Sequence, residues 1–254
     1  MFPPASGRPP RRSLPTWTIA CGSIVVVIAL LIGLMTFARN HQSASSFAGR
    51  QPTYTAPPND GAFLDASLLT PVDFGSEWTE TGTTDLLPTE LAWNEPCSNS
   101  PGLQSVATVG RSVSLSQNHQ TDGRESGSAF VTIRKYRSAA EAAAELAARS
   151  DSSFRNCIQD FDRQAVECVC HAPAQSETIG LLPAPAGVLA TVYIDTVGYE
   201  DNGQKTYSIV TAYTARGRYL AVLNVQRFAV PVDQPQFDDL LSTLSRRLEL
   251  NAPQ

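Results

Sequence analysis

The chain has 254 residues, of which 42% are apolar or aromatic, and a formal net charge of −5 at pH 7. This length and apolar content exclude a short peptide and a wholly disordered chain, because they suffice for a domain with a core. The charge is uneven: residues 61–254 hold 14 basic and 23 acidic side chains, and the other five basic residues precede them. A balance of −9 in this region argues against nucleic acid or an anionic lipid surface as its partner.

A membrane-spanning helix is predicted over Trp17–Ala38, which is 22 residues long and carries no charged side chain. A helix of this length crosses a hydrocarbon core of about 30 Å. The stub before it, Met1–Thr16, is rich in Pro and Arg and is predicted to be disordered. Its three arginines indicate a cytoplasmic N-terminus, so the rest of the chain is predicted to be extracytoplasmic.

A cleaved signal peptide is the competing interpretation of this segment. We favour an uncleaved anchor, because the apolar run exceeds a usual h-region and no small-x-small site follows it directly. Cys21 lies near the start of the run, whereas a lipidated cysteine would end it. Residues 39–62 are rich in Ser and Pro and predict a semi-flexible linker, after which one domain is predicted over residues 63–250.

The sequence of the first half of this domain predicts short secondary-structure elements. Thr70 and Pro71 are typical of an N-cap and a first helical residue. Glu77–Asp85 is expected to be extended, and alternation of apolar and polar residues predicts strands over Val106–Gln117 and Ser128–Tyr136.

A helix rich in alanine is predicted next. Ser138 and Glu141 have the spacing of a capping box, and the run Ala139–Arg149 has high helix propensity. We expect this helix to continue toward Cys157, and a further strand is predicted over Arg163–His171.

The last part of the chain predicts a β-meander and a helix. Runs over Val188–Tyr199, Lys205–Ala215 and Arg218–Phe228 are joined by turn sequences too short for crossover helices, which favours antiparallel pairing. From about Asp233 to Glu249, apolar residues recur on one face of a helix. The sequence therefore predicts an α+β fold, with a twisted antiparallel sheet packed by the Ala-rich helix and the C-terminal amphipathic helix, preceded by one transmembrane helix.

The domain contains no nucleophile elbow, zincin motif, phosphate loop or dinucleotide fingerprint. His119 and His171 are its only histidines, and no spacing marks a catalytic group. We therefore predict a protein that is not an enzyme and has no cofactor and no metal site.

Among local clusters, the side chains of Cys168-Val169-Cys170-His171 are best suited to metal binding or redox chemistry. A structural role, with each cysteine in a disulfide, is favoured over a strained redox pair. Both are favoured over a zinc or copper site, because no fourth ligand lies nearby in the sequence and zinc sites prefer a wider cysteine spacing. In the predicted strand, Cys168 and Cys170 would point to the same face, as a pair or as two free thiols.

Four cysteines follow the predicted span, and they permit three connectivities. We favour a bond between Cys97 and Cys157, which would tie the Pro-rich loop Leu86–Leu103 to the end of the Ala-rich helix. In the chain-entropy model, closing a loop of this size stabilises the folded state by about 3–5 kcal/mol relative to the unfolded chain.

The order of several motifs resembles the extracellular sensor domain of PknH-type serine/threonine kinases of mycobacteria and related actinobacteria, here on a membrane anchor without a kinase domain. The similarity rests on these segments: Leu68-Leu69-Thr70-Pro71, Asn94-Glu95-Pro96-Cys97, Tyr136-Arg137-Ser138-Ala139-Ala140-Glu141-Ala142, Phe154-Arg155-Asn156-Cys157, Cys168 and Leu223-Asn224-Val225. The resemblance implies an α+β domain with two disulfides and a cleft for an extracellular ligand. The family's fourth cysteine near the last strand is absent from Arg216–Leu220, so the partner of Cys168 is left open.

These observations predict a membrane-anchored, non-catalytic sensor or ligand-binding domain of the cell envelope. Its partner would be a small envelope molecule or an envelope protein, held by apolar and aromatic residues of the meander. A redox protein that uses Cys168 and Cys170, and a scaffold of an envelope complex, are the alternatives.

Overall fold

The computed structural model describes residues 58–86, 97, 100, 103, 107–118, 125–170, 173–200 and 204–251. The predicted stub, the predicted span Trp17–Ala38 and residues 39–57 of the predicted linker lie outside them. Within the described ranges, no helix has the length and apolar character needed to cross a membrane.

The described part contains five helices and seven strands. The helices are α1 (Pro58–Ser67), α2 (Pro71–Phe74), α3 (Ala139–Ala148), α4 (Ser152–Cys170) and α5 (Gln234–Asn251). The strands are β1 (Trp78–Leu86), β2 (Val109–Asn118), β3 (Glu125–Lys135), β4 (Ala174–Leu182), β5 (Ala190–Glu200), β6 (Gln204–Arg216) and β7 (Tyr219–Phe228). Helix α1 begins inside the stretch predicted as linker.

All seven strands form one antiparallel sheet in the order β1-β2-β3-β7-β6-β5-β4, which confirms the predicted α+β class. The predicted meander is confirmed as β5-β6-β7. Strand β7 pairs with β3 and lies at the centre of the sheet. Helices α3 and α4 lead the chain from β3 to β4 at the far edge.

Helices pack on both faces of the sheet. The first face carries α1, α2 and α5, and the second face carries α3 and α4. The predicted apolar face of α5 is buried on the first face, at Phe237, Leu240, Leu241, Leu244 and Leu248. Burial of each such side chain stabilises the fold by about 1.5–3 kcal/mol.

Two ion pairs hold the N-terminal helices on the first face. The buried carboxylate of Asp60 in α1 accepts a hydrogen bond from the Lys135 ammonium at the end of β3. The guanidinium of Arg247 in α5 donates to both carboxylate oxygens of Asp73, at 2.9 and 2.7 Å. Thr70 and Pro71 occupy the predicted N-cap and first helical positions of α2.

The Ala-rich helix does not continue to Cys157, as predicted, but ends at Ala148. Ser138 caps its start, because the Ser138 hydroxyl accepts the backbone N–H of Glu141 at 3.1 Å. A new helix then starts at Ser152, where the carboxylate of Asp151 accepts the backbone N–H of Ser153 at 2.7 Å. Asp151 thus acts as an N-cap and restarts the helix after a short turn.

The predicted strand over Arg163–His171 is wrong, because α4 extends through this stretch to Cys170. Its buried residues recur at Phe154, Ile158, Asp162 and Val166, a helical spacing that the polar Asp162 conceals. Strand β4 was not predicted. It lies at the sheet edge and is mostly exposed or half-buried, so its alternation is weak.

Candidate functional site

The second face of the sheet is polar over its half that contains β1, β2 and β3. Paired residues of an antiparallel sheet share a face, so the register identifies the side chains that lie there. They are Thr79, Thr84, Ser112, Ser114, Ser116, Ser128, Phe130 and Thr132. Helices α3 and α4 lie mainly over the other strands, β4 to β7.

At the centre of the sheet, this polar surface becomes a hydrogen-bonded network that we call the polar floor. It consists of Ser128 in β3, Tyr207 and Thr211 in β6, and Asn224 and Gln226 in β7. The hydroxyls of Ser128 and Tyr207 donate to the Gln226 carbonyl oxygen at 3.1 and 2.8 Å. The Gln226 amide donates to Asn224 Oδ1 at 2.9 Å, and the Asn224 amide donates to Thr211 Oγ1 at 2.7 Å.

Two side-chain amides, those of Asn224 and Gln226, lie on the central strand β7. On the first face of β7, Tyr219, Ala221, Leu223 and Val225 lie in the core, and Arg227 follows them at the end of the strand. On the second face Leu220 is buried and apolar, but Asn224 and Gln226 are only half-buried. An apolar cover over these amides would cost free energy, so their presence indicates a surface that stays accessible to polar groups.

The polar floor retains hydrogen-bonding capacity. A side-chain amide nitrogen carries two hydrogens. Among the described residues, Asn224 and Gln226 each donate only one of them. Phe130 pairs with Asn224 in the register and lies on the same face, with 43% of its surface exposed. Spare donors and an exposed aromatic ring therefore lie side by side.

A group of buried carboxyls lies on the same face beneath α4. It comprises Asp162 in α4, Glu177 in β4 and Asp195 in β5. Burial, reinforced by the charges of Asp195 and Glu177, raises the pKa of Asp162 to about 8. Burial and the nearby Glu177 raise the pKa of Asp195 to about 7. The pKa of Glu177 is also raised, mainly by burial.

These carboxyls are poor candidates for catalysis, although their pKa values are perturbed. Asp195 is 2% exposed and Asp162 is 7% exposed, so neither carboxyl is accessible to a ligand at the surface. No group of His, Cys, Asp and Glu side chains suited to a metal ion occurs within the described ranges. The cluster is therefore assigned to the stability of the domain.

A second concave surface, the alanine groove, lies beside α3. It has a volume of about 570 Å³. It is lined mainly by Ala139, Ala143, Leu146, Ala147, Leu189 and Ala190. Its charged residue, Arg216, donates hydrogen bonds to Ser245 and to the Gly187 carbonyl. This surface suits an apolar ligand better than a polar one.

The structure places Cys97 in the β1–β2 connection and Cys157, Cys168 and Cys170 in α4, so none of them lies on a strand of the polar floor. The predicted Cys97–Cys157 disulfide is present and ties the β1–β2 connection to α4. Cys168 is also disulfide-bonded. Cys168 and Cys170 lie in α4, so the predicted strand from which we inferred a shared face for them is wrong. The side chain of Cys170 and His171 lie outside the described residues.

The polar floor was not predicted from the sequence. The ligand was predicted to bind apolar and aromatic residues of the meander, and Asn224 was noted only as part of a family motif. The available signal was that polar residues occupy alternate positions at the end of β7, after the apolar pair Leu220 and Val222.

The fold is similar to that in the crystal structure of the extracellular domain of PknH from Mycobacterium tuberculosis. The TM-score is 0.50 at 12% sequence identity, and the match covers 80% of this chain and 100% of that domain. The chain thus has the fold of the PknH extracellular domain, as the sequence resemblance predicted.

A second solved structure is that of an uncharacterized protein from Mycobacterium smegmatis, the Rv0999 ortholog. It matches with a TM-score of 0.34 and 9% identity, over 74% of this chain and 93% of that chain, which is too distant to support an argument. No protein-family model and no curated protein match the sequence.

Proposed function

We propose that this chain, which shares the fold of the PknH extracellular domain, is a non-catalytic, membrane-anchored sensor domain that binds a small ligand outside the cytoplasm. The observation that carries the proposal is the polar floor. Preorganised polar groups next to an aromatic ring are typical of small-molecule sites.

The anchor and the orientation come from the sequence. Trp17–Ala38 would hold the domain at the cell membrane, and the basic stub would keep the N-terminus in the cytoplasm. The disulfide between Cys97 and Cys157 fits an oxidising compartment outside the cytoplasm. In this arrangement, the ligand is an envelope molecule.

Thermal unfolding in the presence of fractionated envelope extracts tests the proposal. The full-length chain, purified in a detergent without a sugar headgroup, is mixed with polar, lipid and peptide fractions. Ligand that binds only the folded state raises the unfolding temperature by mass action. We expect at least one fraction to raise it by several degrees, and an absence of any shift across all fractions would overturn the proposal.

A further inference from the structure

The described side chains that form the polar floor are uncharged, and the described charged groups nearest to it on this face, Arg134 and Asp195, are buried. On β2, β3, β7 and β6, the side chains of this region are hydroxyls, amides, and apolar or aromatic groups, namely Ser112, Ser114, Ser116, Ser128, Phe130, Thr132, Ile209, Thr211, Tyr213, Val222, Asn224 and Gln226. An anion or a cation bound here would lose hydration without gaining a charged partner. A neutral ligand is therefore favoured.

The geometry of the donors suits a ligand with several hydroxyl groups. Asn224 and Gln226 are two positions apart on one strand, so their Cα atoms are separated by about 7 Å. Ser128 and Thr211 flank them on the neighbouring strands. Amides and hydroxyls supply both donors and acceptors, and a sugar hydroxyl needs both.

Phe130 supplies the apolar part of such a site. Its ring is partly exposed beside Asn224 and Ser114, its register partners on the two neighbouring strands. The C–H groups on one side of a pyranose ring form an apolar surface that packs on an aromatic face. Hydroxyls at the rim of the same sugar would then reach the amides.

We propose that the polar floor and Phe130 bind a neutral saccharide. This inference rests on the proposed function, since it names the ligand class of the same site. Asn224 and Gln226 donate their spare amide hydrogens to sugar hydroxyls, and Phe130 stacks on the sugar ring.

Calorimetric titration of the full-length chain tests this inference. The probes are neutral disaccharides built from glucose, galactose, mannose and arabinose, and a neutral hydrolysate of envelope polysaccharide, in a detergent without a sugar headgroup. We expect at least one probe to bind. Phe130→Ala is expected to raise its Kd about tenfold, through loss of stacking. Asn224→Ala is expected to raise it about fivefold, through loss of a hydrogen bond.

Phe161→Ala is the matched control for Phe130→Ala. Phe161 lies on α4, is not part of the polar floor, and is 47% exposed, close to the value for Phe130. Both variants remove a surface ring, so both should fold, and only Phe130→Ala should weaken saccharide binding. Equal Kd values for the two variants, or no binding of any probe, would overturn the inference.

A third variant separates this inference from the proposed function. Ala143→Phe fills the alanine groove and leaves the polar floor unchanged. If a lipid fraction stabilises the chain and Ala143→Phe abolishes that shift, the saccharide inference fails but the chain still binds a ligand. If no fraction stabilises it, both fail.

Discussion

At the level of single residues, the carboxyls of Asp162, Glu177 and Asp195 determine how the stability of the folded domain depends on pH. A carboxyl in the unfolded chain has a pKa of about 4. In the folded domain, burial and the neighbouring acids raise the pKa of Asp162 to about 8 and that of Asp195 to about 7. Their full contribution to stability is thus present below about pH 4 and is lost as the pH rises toward 8.

We expect the free energy of unfolding to fall by about 2 kcal/mol or more between pH 5 and pH 8.5. Urea denaturation at a series of pH values measures it. Asp162→Asn removes one of the titrating groups, so its stability should change less with pH. Asp239→Asn, at an exposed position of α5, is the control and should follow the unmodified chain. An equal pH dependence of Asp162→Asn and the unmodified chain would refute this account.

Residue-level features of this kind are hard to predict from sequence. Asp162 and Asp195 resemble surface acids in the sequence, and only the packing of α4 on β5 buries them. The same holds for Arg149, which is fully buried in an ion pair with Glu145 at 2.7 Å. Its guanidinium also lies over the rings of Phe154 and Tyr213, which come from different elements.

At the level of secondary-structure elements, the Cys97–Cys157 disulfide connects the long β1–β2 segment to α4. Its cysteines are 60 residues apart in sequence. Leu86, Cys97 and Leu103 pack against the apolar cluster under α3 and α4, so the bond fixes a segment that also covers part of the core.

The double variant Cys97→Ala/Cys157→Ala is expected to have a free energy of unfolding lower by about 4 kcal/mol. The bond closes a long loop and so reduces the entropy of the unfolded chain, which is worth about that much free energy for a loop of this length. The midpoint of urea denaturation provides the measurement. Ser100→Ala, in the same segment, serves as the control and should be close to neutral. A loss below about 1 kcal/mol in the double variant would contradict the assigned role.

The elements also show what patterns can predict. Helix α5 and the β5-β6-β7 meander follow clear periodicities and short turns, so their type and order were predictable. Helix α4 was predicted as a strand at its end, because Asp162 interrupts its apolar stripe. Edge strand β4 was missed, because an exposed edge needs no apolar alternation.

At the level of the whole molecule, the second face of the sheet has two parts that differ in what covers them. Helices α3 and α4 cover the β4 side and build the core there, whereas the β1 side presents hydroxyls and the polar floor at its centre. The sequence predicted the fold and its PknH-like character, but it placed the ligand on apolar residues. Three of the four hydrogen bonds of the polar floor lie within β6 and β7, and the pairing of β3 with β7, which are far apart in sequence, adds Ser128 and places Phe130 beside Asn224.

Photo-crosslinking in intact cells tests the central claim, a ligand site on the polar floor outside the cytoplasm. A photoreactive phenylalanine analogue replaces Phe130 in one variant and Val72 in the other. Val72 is 89% exposed and lies on α2, at the first face. We predict that irradiation gives a discrete mass increase of small-molecule size at position 130 and none at position 72. No adduct at position 130, or the same adduct at both positions, would contradict the account.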